Sequence, residues 1–143
     1  MKIFLDANVI FAAAYNDRGT PAHFIRAASA KGLELISSDY AWGEVERNLR
    51  KKAGVYFQRL EILKQAIKLV PNPEDFSSDI PLKAKDIPIY RAALYYDCEY
   101  LVTGDHRDFL QLMSQNFRSL TRILSPADCL KELKIKPERL EKI

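Results

Sequence analysis

Five acidic residues, Asp6, Glu44, Asp86, Asp105 and Asp108, stand at the edges of apolar segments rather than within polar ones. Asp6 is the sharpest case, interrupting the opening MKIFLDANVIF between Ile3-Phe4-Leu5 and Val9-Ile10-Phe11. An ionised carboxylate inside such a run is costly unless something compensates it. The expectation is therefore that Asp6 emerges where its strand ends and faces a wet groove instead of the core. Carboxylates gathered at one place repel one another unless protons or cations intervene. Hard oxygen ligands with no His/Cys constellation suit Mg²⁺ or Mn²⁺ rather than zinc. Such an ion lowers the pKa of a bound water, polarises a phosphoryl oxygen and steadies an in-line displacement.

Each acid taken alone also has a plain structural reading. Asp86 precedes Pro88 at a helix start, where aspartate is an ordinary N-cap. Glu44 borders the stripe Ala41/Val45/Leu49 and can pair with Arg47 or Asn48 at helical spacing. Asp6 can cap the turn after its strand, and Asp105 and Asp108 can cap the helix that follows them. Only the set, drawn from four segments, favours a shared site. Neither histidine joins a recurring spacing: His23 reads as helix surface or packing, and His106 as a substrate contact at most.

The elements that must position these acids alternate between short apolar runs and helical periodicity. Ile3 to Leu5 read as a buried strand. A turn at Asn16-Asp17-Arg18-Gly19 leads to Thr20 as N-cap and Pro21 as first helical residue, with the helix running to Lys31 and stopping at Gly32. A strand over Leu33 to Ile36 precedes a helix capped by Ser38 or Asp39. A helix from Val55 to Ala66 and a short strand Lys68 to Val70 follow. The loop PNPEDFSSDIPLKAK then leads to a helix carrying Ile89, Ala92, Ala93 and Tyr96 on one face. A strand Tyr100 to Val102, a turn at Thr103-Gly104, a short helix, a strand Arg122 to Leu124 and a helix from Ser125-Pro126 to Leu133 complete the pattern. Strands alternating with helices predict a mostly parallel sheet covered on both faces, as a three-layer α/β/α sandwich. Ligands of such sheets bind beyond the carboxyl ends of the strands, where strand order reverses. Asp6 and the pair Asp105/Asp108 are delivered to that edge by different strands.

The 143 residues suit a single domain spanning 1–143, and 48% hydrophobic against 29% charged residues is a globular balance. No apolar run approaches the ~20 residues that span a bilayer, and the start lacks the long apolar region of a signal peptide. Cys98 and Cys129 make no metal-ligand spacing and are expected to be reduced and structural, so the cytoplasm is the expected address. The net charge of +3 decides little. Its distribution says more: Arg47, Arg50, Lys51 and Lys52 lie within six positions, with Lys83, Lys85, Arg91 and Arg107 near other candidate residues. Such a run is either a solvated helix face or a contact for phosphates.

The segments LDANVI, GEVERNL, KDIPIYRAA, LVTGDHRDFL and ILSPADCL, in this order, resemble the PIN-domain ribonucleases, including the VapC toxins of toxin–antitoxin pairs. The resemblance runs from residue 3 to about 130. It implies an α/β/α fold with a parallel sheet and cleavage of RNA phosphodiesters that depends on Mg²⁺ or Mn²⁺. By position, Asp6 resembles the first metal-binding acid and Asn8 its hydrogen-bonding neighbour. Glu44 resembles the second acid, Asp86 the third, and Thr103 the hydroxyl of the T-x-D or T-x-N segment. Family members place the fourth acid at either of two positions, and this chain has both, Asp105 and Asp108. Asp105 is favoured as nearer the metal. Arg47, Arg50, Lys51, Lys52 and Arg107 would then contact RNA phosphates. The resemblance further implies an antitoxin partner whose segment enters the acidic groove. It also implies a homodimer, to which Trp42, Tyr95 and Tyr96 would contribute as exposed aromatics.

Two enzyme classes that also place an aspartate after an initial strand fit less well. A haloacid-dehalogenase-type phosphotransferase needs D-x-D, and Asn8 cannot shuttle the second aspartate's proton. A phosphoreceiver domain needs a pair of adjacent acids in its first loop. The rival of a different kind is a non-catalytic RNA-binding or assembly module retaining the fold.

Overall fold

A computed structural model describes residues 1–51, 54–74, 82–104, 106–109 and 121–135, with only the backbone at 106 and 108. Five strands, β1 (Lys2–Leu5), β2 (Glu34–Ser38), β3 (Ile67–Val70), β4 (Tyr100–Val102) and β5 (Arg122–Leu124), form one sheet in the order β3-β2-β1-β4-β5. All neighbouring pairs are parallel. The helices among the described residues are α1 (Ala7–Tyr15), α2 (Thr20–Ala30), α3 (Asp39–Leu49), α4 (Val55–Lys64), α5 (Ile87–Tyr95), a 3₁₀ turn at His106–Phe109, and α6 (Pro126–Glu132).

β1 is central. Ile3, Phe4 and Leu5 point alternately to the two faces of the sheet, yet all are 0% exposed. Both faces are therefore covered, which makes the molecule an α/β/α sandwich. From β1 the chain first builds outward through β2 and β3, then returns to lay β4 on the opposite side of β1. Strand order thus reverses between β1 and β4. Leu5 lies opposite Val102 in register, so the two strands end level with each other.

α1 has no counterpart in the sequence reading. In ANVIFAAAY nearly every residue is apolar, so helical periodicity has little contrast and the run reads on from the strand. What stops the strand is Asp6, whose extended backbone (φ −69°, ψ 155°) and side-chain acceptor make it the N-cap of α1. The other boundaries move by a residue or two. Thr20 lies inside α2 with Gly19 at the cap, because a proline in the first turn leaves its missing N–H unneeded at N1 or N2 alike. β2 extends to Ser38, whose hydroxyl then accepts from the Ala41 N–H at 3.2 Å and starts α3 at once. Trp42, expected as an exposed aromatic, is buried at 4% exposure, its ring under the Lys64 ammonium at 5.6 Å. Tyr95 is 60% exposed, whereas the Tyr96 hydroxyl donates to the Pro71 carbonyl.

The α3 stripe Ala41/Val45/Leu49 is buried as its spacing predicts. Truncating Leu49, 0% exposed, to alanine should lower unfolding free energy by about 2–5 kcal/mol. Asn48→Ala on the exposed neighbouring position should stay within ~0.5 kcal/mol. Urea midpoints at constant slope check both, and equal losses would show that α3 faces the core differently.

Candidate active site

The β1/β4 switch point is built from the first residue after each strand. Asp6 donates its backbone N–H to the Val102 carbonyl at 2.9 Å, which prolongs the parallel pairing by one bond. Its side chain is then locked. Oδ1 accepts from the Ala7 N–H at 2.6 Å, and Oδ2 accepts from the Thr103 hydroxyl at 2.9 Å. Thr103, fully buried, receives the Asn8 amide in return at 3.3 Å. The Asn8 carbonyl oxygen accepts from the Gly104 N–H at 2.8 Å. One side chain from α1 thus clasps the turn after β4. A Cβ at residue 104 would come within 3.2 Å of that same Asn8 oxygen, so the clasp needs glycine or a shift. From β2, the Ser37 hydroxyl donates to the Leu5 carbonyl at 2.8 Å and secures the same end of β1.

The expectation that Asp6 escapes into a wet groove is not met. Asp6 is only 6% exposed, and burial is the main reason its carboxyl is pushed up from 3.8 to about 6. The Thr103 and Ala7 hydrogen bonds pull in the other direction, while the charges of Asp86 and Glu44 push further upward. Those last two contributions tie Asp6 to acids on α3 and at the start of α5. The structural reading of Asp6 as a cap holds, since its side chain accepts from the Ala7 N–H.

Asp86 is 7% exposed and sits at the N-cap position of α5, but in a helical conformation (φ −92°, ψ −18°) and with no capping bond from its side chain. Its plain reading as a conventional N-cap accordingly fails. Glu44 is half-buried on the second turn of α3. Tyr40, one turn before it and absent from the sequence reading, has its phenol pushed upward by burial and then by the Glu44 charge, with Arg47 acting oppositely. The Arg47 guanidinium folds back over Gly43, where a Cβ would meet Nη1 at 3.2 Å. The signal for Tyr40 was its i, i+4 spacing to Glu44.

Arg47, Arg50 and Lys51 are exposed at the end of α3 and just beyond it, and Arg107 is exposed on the 3₁₀ turn. Lys52, Asp105 and the Asp108 side chain lie outside the described residues. Among the described residues, no three Asp, Glu, His or Cys side chains converge tightly enough to cage a metal ion. The donor types nonetheless fit Mg²⁺ or Mn²⁺, because the Asp86 and Glu44 charges that raise the proton affinity of Asp6 also favour a cation beside it. An open arrangement also suits Mg²⁺, which keeps several of its waters and uses one or two carboxylates.

A family model described as PIN domain matches residues 2–107. The chain belongs to the PIN-domain family. Among solved structures, this PIN domain is similar to VapBC2 from Rickettsia felis bound to a DNA fragment from their promoter. The TM-score is 0.63 at 15% identity, covering 87% of this chain and 98% of that one. It is also similar to VapBC-1 from nontypeable Haemophilus influenzae, with a TM-score of 0.60 at 13% identity, covering 89% and 99%. No curated protein matches it. At such identities the likeness is one of fold.

The buried Asp6 charge has a consequence for stability. Below about pH 4 the folded and unfolded chains both hold the proton. Between about 4 and 6 only the folded chain holds it, so stability falls as pH rises through this window. The full loss is on the order of 3 kcal/mol. Metal-free Asp6→Asn should therefore gain in Tm over wild type as pH rises from 4 to 7, with little difference at pH 4. A constant offset across that range would show that Asp6 titrates normally.

Proposed function

We propose that this PIN domain is a divalent-metal-dependent endoribonuclease, and that it serves as the toxin of a toxin–antitoxin pair. The observation that carries the reading is that the charges of Glu44 and Asp86, from separate elements, raise the proton affinity of Asp6 at the strand-order switch. The family match supports a nuclease, and the fold likeness to VapBC complexes supports an antitoxin partner.

In this reading Asp6, Glu44 and Asp86, completed by Asp105 or Asp108, hold Mg²⁺ or Mn²⁺. The ion supplies a water of lowered pKa and charge stabilisation at the scissile phosphate. Asp6 contributes an oriented carboxylate, since the Ala7 N–H and the Thr103 hydroxyl leave it little freedom to turn away. Thr103 is aimed by Asn8, so the three residues act as one rigid unit. Arg47, Arg50, Lys51, Lys52 and Arg107 attract flanking phosphates, offsetting the negative field of the acids. The substrate is RNA, the working form a homodimer, and the compartment the cytoplasm.

Asp6→Asn, Glu44→Gln and Asp86→Asn should each lower Mn²⁺-dependent cleavage of a single-stranded RNA by ~10²-fold or more. For Asp6→Asn the loss should accompany a gain in Tm at pH 7. Undiminished cleavage by all three variants would remove the site. Metal-independent RNA binding by wild type, without cleavage at millimolar Mn²⁺, would instead favour a binding module.

Replacing both Arg50 and Lys51 by alanine should flatten the salt dependence of RNA binding by about 1.4 in log–log slope, at ~0.7 per lost phosphate contact. An unchanged slope would make them solvated surface.

A further inference from the structure

Tyr40 stands between two of the acids. It lies one turn before Glu44 on α3, so both side chains project from the same face of that helix. Its hydroxyl lies 3.3 Å from the carbonyl oxygen of Lys85, the residue immediately before Asp86. Burial and then the Glu44 charge push its phenol upward, and the Asp86 charge acts on it as well. Tyr40 is thus the point at which α3 meets the segment that presents Asp86.

A phenol has a single proton to donate. It goes to the Lys85 carbonyl, which tethers the segment carrying Asp86 to α3 and leaves Glu44 free to turn toward a cation. The bond is not needed for core packing, because Tyr40 is only half-buried and the bond to Lys85 is solvent-exposed. An exposed bond of this length adds little to stability. Its effect lies in the relative placement of the two acids.

We propose that Tyr40 is a positioning residue, whose hydroxyl ties the helix carrying Glu44 to the Asp86 segment and so keeps both carboxylates in reach of one divalent cation. The proposal rests on the metal-site reading above. Groups outside the ligand set that orient ligating carboxylates change metal affinity by about 10–100-fold when removed.

The test is Mn²⁺ binding to the metal-free full chain, measured by titration calorimetry for wild type, Tyr40→Phe, Tyr40→Ala and Asp6→Asn. Tyr40→Phe keeps the ring and removes only the proton donor. It should bind Mn²⁺ about ten-fold more weakly while melting within about 3 °C of wild type. Its RNA cleavage should recover at saturating Mn²⁺, with an unchanged KM for RNA. Affinity within two-fold of wild type overturns the proposal. So does a pattern in which Tyr40→Phe is silent and only Tyr40→Ala loses affinity, together with Tm, since the ring would then be sufficient. Wild-type Mn²⁺ affinity in Asp6→Asn would show that the metal-site reading itself has failed, and the role of Tyr40 with it.

Discussion

The structure turns on a single buried carboxylate at the end of its central strand. Asp6 ends β1, starts α1 and extends the pairing with β4, so that three pieces of architecture meet in one residue. Burying a charge there is unfavourable, and the rise of its carboxyl to about 6 expresses that cost. Two hydrogen bonds reduce the cost without removing it. A site that is destabilised when it is empty and ionised gains from any cation placed beside it.

The sheet order explains why this position is available. A chain that lays β2 and β3 to one side of β1 and then β4 and β5 to the other leaves the helices diverging above β1 and β4. Residues just past those two strands form the buried floor of the resulting crevice. Asp6 and Thr103 are those residues, while α3 and the start of α5 bring Glu44 and Asp86 toward it. Asn8 then bonds both Thr103 and Gly104, so the floor of the crevice is cross-linked by side chains rather than by backbone alone.

Much of this was legible in the sequence, for identifiable reasons. The strands announced themselves as apolar runs bounded by turns, and the Ala41/Val45/Leu49 stripe gave the buried face of α3. Asp6, Asp86 and Thr103 stood out as polar groups at element ends and Asn8 and Glu44 by the resemblance, and Asp6, Asn8 and Thr103 are hydrogen-bonded together at the switch point. α1 was not legible, because a helix apolar on nearly every side carries no phase information. The burial of Asp6 was not legible either. A strand-end position looks solvent-facing in one dimension, and only the packing of α1 and the turn after β4 closes it over. Tyr40 carried only its i, i+4 spacing to Glu44 as a signal, because its hydrogen-bond partner, the Lys85 carbonyl, is a backbone atom that no side-chain pattern reveals.

The hydrogen bond between Thr103 and Asp6 joins residues 97 positions apart. During synthesis the first half of this unit leaves the ribosome 97 residues before the second. Until β4 docks, Asp6 has neither the Thr103 hydroxyl nor the Val102 carbonyl, and its carboxylate is an unconstrained surface acid. A growing chain therefore carries the unit unassembled while the intervening residues are made. This order of assembly separates the appearance of the first carboxylate from its fixing in place.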